Sequence, residues 1–129
     1  MPSTRTRINK IANVVVPVAD QDTAVAFYVD TLGFTKIVDE PFGGGYRWIE
    51  VALGQESTTI ALAPPPPEGD APGGRQTGIT LQTDDIDALH SQLQDAGVDV
   101  DAEVMRMGGP VPPMFWFRDP EGNVLLVVQ

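Results

Sequence analysis

Asn13-Val14-Val15-Val16-Pro17-Val18-Ala19-Asp20-Gln21-Asp22 and Gly78-Ile79-Thr80-Leu81-Gln82-Thr83-Asp84-Asp85-Ile86-Asp87 share one outline, an apolar run that closes on Asp-x-Asp. The two stretches stand 65 residues apart, so Asp20 answers Asp85 and Asp22 answers Asp87. Each leads into a helical pattern that stops at a glycine, Leu32-Gly33 in one copy and Ala96-Gly97 in the other. The same offset relates the stretch from Glu56 to Leu62 to the stretch from Glu121 to Val127. Two copies of one unit cannot build an extended solenoid. The duplication therefore predicts a closed or paired body with a cleft between its halves, and clefts are where small molecules bind.

Working outward, each copy reads as strand, helix, then three strands. Ile11 to Val18 is β-branched and apolar on both alternating faces, which predicts a strand covered on each side. The aspartates that follow suit a helix start, because their carboxylates accept bonds from free backbone N–H groups. Ala24, Phe27, Tyr28 and Leu32 fall along one side of the first helix, and Gly33 ends it. Phe34 to Asp39, Tyr46 to Leu53 and Thr58 to Ala63 read as strands, with a turn at Gly43-Gly44-Gly45. Pro64 to Gln76 holds five prolines and three glycines and reads as a linker. In the second copy Thr77 to Thr83 is the strand, and the helix Asp85 to Ala96 turns Ile86, Leu89, Leu93 and Ala96 inward. Val98 to Asp101, Val104 to Met107, Met114 to Arg118 and Val124 to Val128 are strand candidates, the last two joined by a tight turn at Asp119-Pro120-Glu121-Gly122-Asn123. The expectation is one domain over 1–129: module one about 8–63, a linker 64–76, and module two about 77–129.

Composition narrows the function classes. Eighteen acidic residues stand against eight basic ones, a net charge of -10, which repels phosphate backbones and argues against a nucleic-acid partner. No apolar stretch approaches the roughly 20 residues that span a bilayer, so no membrane partner is expected. The basic start, Met1 to Arg7, lacks the apolar region of a secretion signal, which points to a cytoplasmic location. With no cysteine there is no disulfide, thiolate metal site or thiol nucleophile.

Val18-Ala19-Asp20-Gln21-Asp22, Ala26-Phe27-Tyr28 followed by Leu32-Gly33-Phe34, Asp84-Asp85-Ile86-Asp87, and Phe117-Arg118-Asp119-Pro120-Glu121-Gly122-Asn123 occur in this order along the chain. In that combination the chain resembles the vicinal oxygen chelate superfamily, which contains glyoxalase I, bleomycin-resistance proteins and extradiol dioxygenases. The resemblance implies an α+β fold of two tandem βαβββ modules whose mixed sheets curl around a cavity, commonly completed in a homodimer. Enzymes of that family hold a divalent metal near the start of each first strand and on each last strand. Carried over by position, those sites fall on Asn13 and Gly78, and on Ala61 and Leu126. Only Asn13 offers a donor, whereas octahedral cations want several carboxylate or imidazole groups. No metal and no other cofactor is expected.

Other side chains remain to be weighed. His90 is the only histidine and lies in mid-helix beside Leu89 and Leu93, which suits a packed or surface histidine better than a catalytic one. Strand alternation puts Ile49 and Val51 on one face and Trp48 with Glu50 on the other, toward the cavity. Glu50 is the candidate catalytic residue, a general base if the indole raises its pKa, or else a partner of Arg47, Arg118 or solvent at the strand end. Trp48 and Trp116 on corresponding strands suit stacking on a flat ligand, and Met105 and Met107 suit an irregular pocket wall. Asn13, Trp48, Glu50, Met105, Met107 and Trp116 are therefore the expected ligand-binding set. Two readings follow. One is a metal-independent protein that sequesters an apolar or aromatic molecule, such as an antibiotic, in a dimer-interface cavity. The other is a lyase, isomerase or dioxygenase with a displaced metal site or metal-free acid–base chemistry.

Overall fold

A computed structural model describes residues 6–54, 58–65 and 73–129, except for the side chain of Phe42. Residues 1–5, the repeat residues Glu56 and Ser57, and 66–72 of the expected linker lie outside the described residues. The chain folds into two mixed four-stranded sheets of identical topology. In module one β1 (Asn13–Pro17), β2 (Thr35–Gly43), β3 (Tyr46–Ala52) and β4 (Thr59–Ala63) lie in the order β1-β4-β3-β2. In module two β5 (Gln76–Gln82), β6 (Asp99–Val100), β7 (Met114–Arg118) and β8 (Val124–Val128) lie in the order β5-β8-β7-β6. In each sheet the first strand runs parallel to the last, and the remaining pairs are antiparallel.

The aspartates start the helices as the sequence implies. Asp20 caps α1 (Gln21–Ala26) by accepting from Thr23 N at 3.0 Å, and Asp85 caps α2 (Ile86–Asp95) by accepting from Ala88 N at 3.0 Å. Gly33 and Gly97 close them at φ 88° and 80°, a conformation that costs glycine little. The copies differ in between. From cap to closing glycine is 13 residues in module one and 12 in module two, and the extra residue is taken up in a π-helical turn, Phe27–Thr31. A wide turn of this kind is how a helix absorbs one inserted residue. It also lets the consecutive rings of Phe27 and Tyr28 both pack inward, 5.5 Å apart and edge to face.

The helix-facing sides of both sheets meet in one apolar core that includes Val16, Ile49, Val51 and Leu62 from module one and Phe115, Phe117, Leu125 and Val127 from module two. Phe27 crosses to Phe117 at 6.3 Å. A polar clasp joins the modules at the Asp119–Asn123 turn. The buried Tyr28 hydroxyl donates to Asp119 Oδ2 at 2.9 Å, Asn123 Nδ2 donates to the Pro17 carbonyl at 3.0 Å, and Glu121 Oε2 accepts from Ala19 N and Asp20 N at 2.9 Å each. Module two thereby holds the segment that leads into the helix of module one.

Several sequence expectations need correction. β1 is covered on one side only: it is an edge strand, and Val15 is 49% exposed on the sheet face away from the helices. Val104 to Met107 is not a strand. Among the described residues it makes one bridge, Met105 to Met114, and the proline-rich approach to β7 prevents a longer ladder. On α2 the inward positions are Ile86, His90 and Leu93, while Leu89 is half-buried and Ala96 exposed. His90 is thus a packed residue, its Nε2 2.7 Å from the Asp101 carbonyl and its ring edge-on to Phe115. No helix among the described residues is long and apolar enough to cross a membrane.

Candidate functional site

Because strand side chains alternate, packing one face of each sheet against the shared core leaves the opposite faces uncovered. On the module-one sheet the register aligns Val15, Ala61, Glu50 and Val38 in one row across four strands, with Asn13 beside Thr59 two residues along. On the module-two sheet Thr80, Leu126 and Trp116 form the matching row. Ala61 and Leu126 are 65 residues apart, so the residue equivalent to Trp116 is Glu50, and Met114 takes the place of Trp48. The tryptophans lie on corresponding strands but not in corresponding rows. The first face is therefore polar at its centre, and the second is apolar.

Glu50 is fixed from both sides. Trp48 Nε1 donates to Glu50 Oε2 at 2.6 Å, and Thr59 Oγ1 donates to Oε1 at 2.6 Å. The Thr59 bond first and the Trp48 bond second hold the carboxyl below its ordinary value, opposed by partial burial and aided by the charge of Lys10. That direction is opposite to the raised value expected of a general base. Glu50 is an ionised, oriented acceptor at neutral pH. Neither Arg47 nor Arg118 pairs with it: Arg47 bonds Asp22 and Asp39, and Arg118 bonds Asp99 and Asp101.

A cavity of about 720 Å³ lies between the modules, bounded by Val14, Phe34 and Thr59 on one side and Ile79, Thr80 and Leu81 on the other. It falls within the usual range for small-molecule sites. A smaller space of about 200 Å³ adjoins it and shares Phe34 and Leu81. None of the six sequence-chosen ligand residues lines either space. Val14, Ile60, Ile79 and Leu81 line the larger cavity from the core-facing side of the sheets, whereas Glu50 and Trp48 stand on the opposite face and are tied to a lining residue through the bond from Thr59 to Glu50. Trp116 is linked to it through the row of Leu126 and Thr80. Met105 and Met107 are exposed on the approach to β7, at 42% and 67%, away from this cavity. Thr59 is the residue that sequence reasoning missed. Its signal was present, since it stands two positions before Ala61 and so shares the face of Glu50.

The family's divalent metal does not fit these residues. Ala61 and Leu126 carry no donor atoms, Gly78 has no side chain, and the one carboxylate near Ala61 is Glu50, already engaged by two donors. Among the described residues no group of three or more His, Cys, Asp or Glu side chains is arranged to hold a metal ion.

The family model described as the glyoxalase/bleomycin resistance protein/dioxygenase superfamily matches residues 10–127. The chain belongs to that superfamily. Within it, the chain is similar to TnmS3, an antibiotic binding protein from Streptomyces sp. CB03234, at 37% identity and a TM-score of 0.82 over 97% of this chain and 98% of that one. It is also similar to a glyoxalase/bleomycin resistance protein from the same organism, at 38% identity and a TM-score of 0.75 over 93% and 100%. The uncharacterized protein YurT of Bacillus subtilis (strain 168) is 30% identical over 128 residues, 93% of this chain and 98% of that protein. The superfamily fold accounts for the two equivalent mixed sheets and their open faces.

Proposed function

We propose that this superfamily member is a metal-independent binding protein that sequesters an apolar or aromatic small molecule, of the kind an antibiotic presents. The observation that carries this reading is the pair of uncovered sheet faces, bearing half-buried Trp48 and Trp116, whose metal positions hold Ala61, Gly78 and Leu126. The similarity to an antibiotic binding protein supports it. The lowered pKa of Glu50 supports it over acid–base catalysis, because a carboxylate held ionised is a poor proton shuttle near neutrality.

In this reading the site is completed by a second copy of the chain, with the module-one face of one subunit set against the module-two face of the other. Half-buried Trp48, Trp116 and Leu126 and exposed Val15 are then covered along with the ligand. The protein acts in the cytoplasm, in keeping with its lack of cysteine. Stacking on two indoles adds roughly 0.5–1.5 kcal/mol per contact to the burial of a drug-sized ligand. The test is a titration of tryptophan fluorescence with polycyclic drugs, alongside sedimentation and elemental analysis of protein purified without added metal. Trp48→Ala and Trp116→Ala should each weaken binding more than core substitutions of equal stability cost. Unaltered affinity in the folded double variant, or a stoichiometric transition metal, would defeat the reading.

A further inference from the structure

The uncovered face of the module-one sheet carries two carboxylates, exposed Glu40 beside Trp48 and the fixed Glu50 at its centre, and no cation on these strands neutralises Glu50 once that face is closed. Both donors to Glu50 come from its own sheet, one from β3 and one from β4. An ionised carboxylate has about four lone-pair sites, so about two stay available on the open side. The neighbours across the row, Ala61 and Val15, are too short to roof it. The face that would close over it in a second copy brings Trp116, Leu126 and Thr80, none of them cationic. Arg118, the cation that β7 contributes to it, is already engaged by Asp99 and Asp101. Covering an unpaired carboxylate with such a surface is costly unless a positive charge or strong donor meets it. On its own side the charge felt by Glu50 is that of Lys10, on the segment preceding β1.

We infer that the bound molecule is a planar apolar compound bearing a cationic nitrogen, the ring system lying against the indoles and the cation received by the free side of the Glu50 carboxylate. This rests on the binding reading above and adds the ligand's charge to it. Lys10 is then the competitor that the ligand's cation displaces. Thr59 and Trp48 are positioning residues that aim the carboxylate.

Three probes of similar shape separate the possibilities: 9-aminoacridine, a planar cation; 9-anthracenemethanol, neutral; and 9-anthracenecarboxylate, an anion. Binding is read by calorimetry and by tryptophan quenching at neutral pH. The cation should bind about tenfold more tightly than the alcohol, the size expected of one charge-assisted hydrogen bond, and the anion more weakly than either. Glu50→Gln should lower the cation's affinity about tenfold more than the alcohol's, and Lys10→Ala should raise the cation's affinity. Trp116→Ala should weaken cation and alcohol alike. Equal affinity for all three probes, or a cation preference that survives Glu50→Gln, overturns this inference and leaves the binding reading intact. If Glu50→Gln does not fold, an unchanged cation affinity in Lys10→Ala overturns it instead. Failure of all three probes to bind overturns both.

Discussion

Replacing Tyr28 by Phe removes a single oxygen from the clasp between the modules and leaves the ring in place. That ring is fully buried and packs edge to face against Phe27 at 5.5 Å and Phe34 at 5.7 Å, so Tyr28→Phe creates no cavity. What is lost is the 2.9 Å bond to Asp119 Oδ2. Asp119 keeps three donors, Glu121 N and Asn123 N at 2.9 Å and Asn123 Nδ2 at 3.1 Å, so it is not stranded. The cost is then that of one hydrogen bond to a charged acceptor, about 1.5–3 kcal/mol, or roughly 6–12 °C in Tm for a chain of this length. Alkali supplies a second readout. Burial first, and then the charge and hydrogen bond of Asp119, push the Tyr28 hydroxyl well above its ordinary value of about 10. A folded-state value above the unfolded one gives stability that is complete below pH ~10. Beyond that pH the unfolded chain releases the proton while the folded chain holds it, and the contribution falls by about 1.4 kcal/mol per pH unit. Urea unfolding of both proteins from about pH 8 to about pH 11 should therefore show the advantage of the unsubstituted chain narrowing above pH ~10, by about 1.4 kcal/mol at pH 11. A gap under about 0.5 kcal/mol at pH 8, or one that stays flat to pH 11, would refute the clasp.

Two further outcomes follow from other parts of the structure. Thr59→Val removes the strongest influence holding the Glu50 carboxyl down, so Glu50 should titrate at higher pH by carboxyl-carbon NMR. Since a lowered carboxyl value contributes stability above the unfolded pKa of about 4.3 that is lost as acid is added, Thr59→Val should also flatten the loss of stability below about pH 4, and an unmoved Glu50 titration would count against the geometry. Gly73→Ala places a Cβ 1.9 Å from the Glu121 carbonyl oxygen at φ +85°, whereas Gly97→Ala at φ +80° meets nothing within 4 Å. The second should cost about 1–2 kcal/mol from backbone conformation alone and the first about 3–4, because the turn behind Glu121 must also move; equal costs by urea titration would exclude that close approach.

The fold was legible because the features that carry it are local and doubled: a β-branched run, an Asp cap, an inward helical stripe and a terminating glycine, each seen twice. The site was harder to read, for a reason visible in the offsets between the copies. Asp20 and Asp85 differ by 65, Gly33 and Gly97 by 64, Glu50 and Trp116 by 66, and Ala61 and Leu126 by 65 again. The π-helical turn gives module one an extra residue, the stretch from the closing glycine to the third strand is two residues longer in module two, and the step from there to the last strand is one residue shorter in module two. Each slip is cheap in a loop or helix, yet in a strand a shift of one residue exchanges the two faces of the sheet. Sequence alone places Trp48 and Trp116 on corresponding strands without fixing their rows, and cross-strand register makes Glu50 the equivalent of Trp116 and Met114 the equivalent of Trp48. The alternation of buried Ile49 and Val51 with half-buried Trp48 and Glu50 was correctly readable, since it depends on one strand only. The two donors that decide what Glu50 does depend on geometry between side chains, and Thr59 gave no sign of its role apart from its place two residues before Ala61. The divergence itself has chemical content. Identical topology with a carboxylate at one equivalent position and an indole at the other gives the two open faces different chemistry, a charge on one and a flat apolar surface on the other. In the proposed reading, a ligand held between them is read from both sides, which two identical faces could not do.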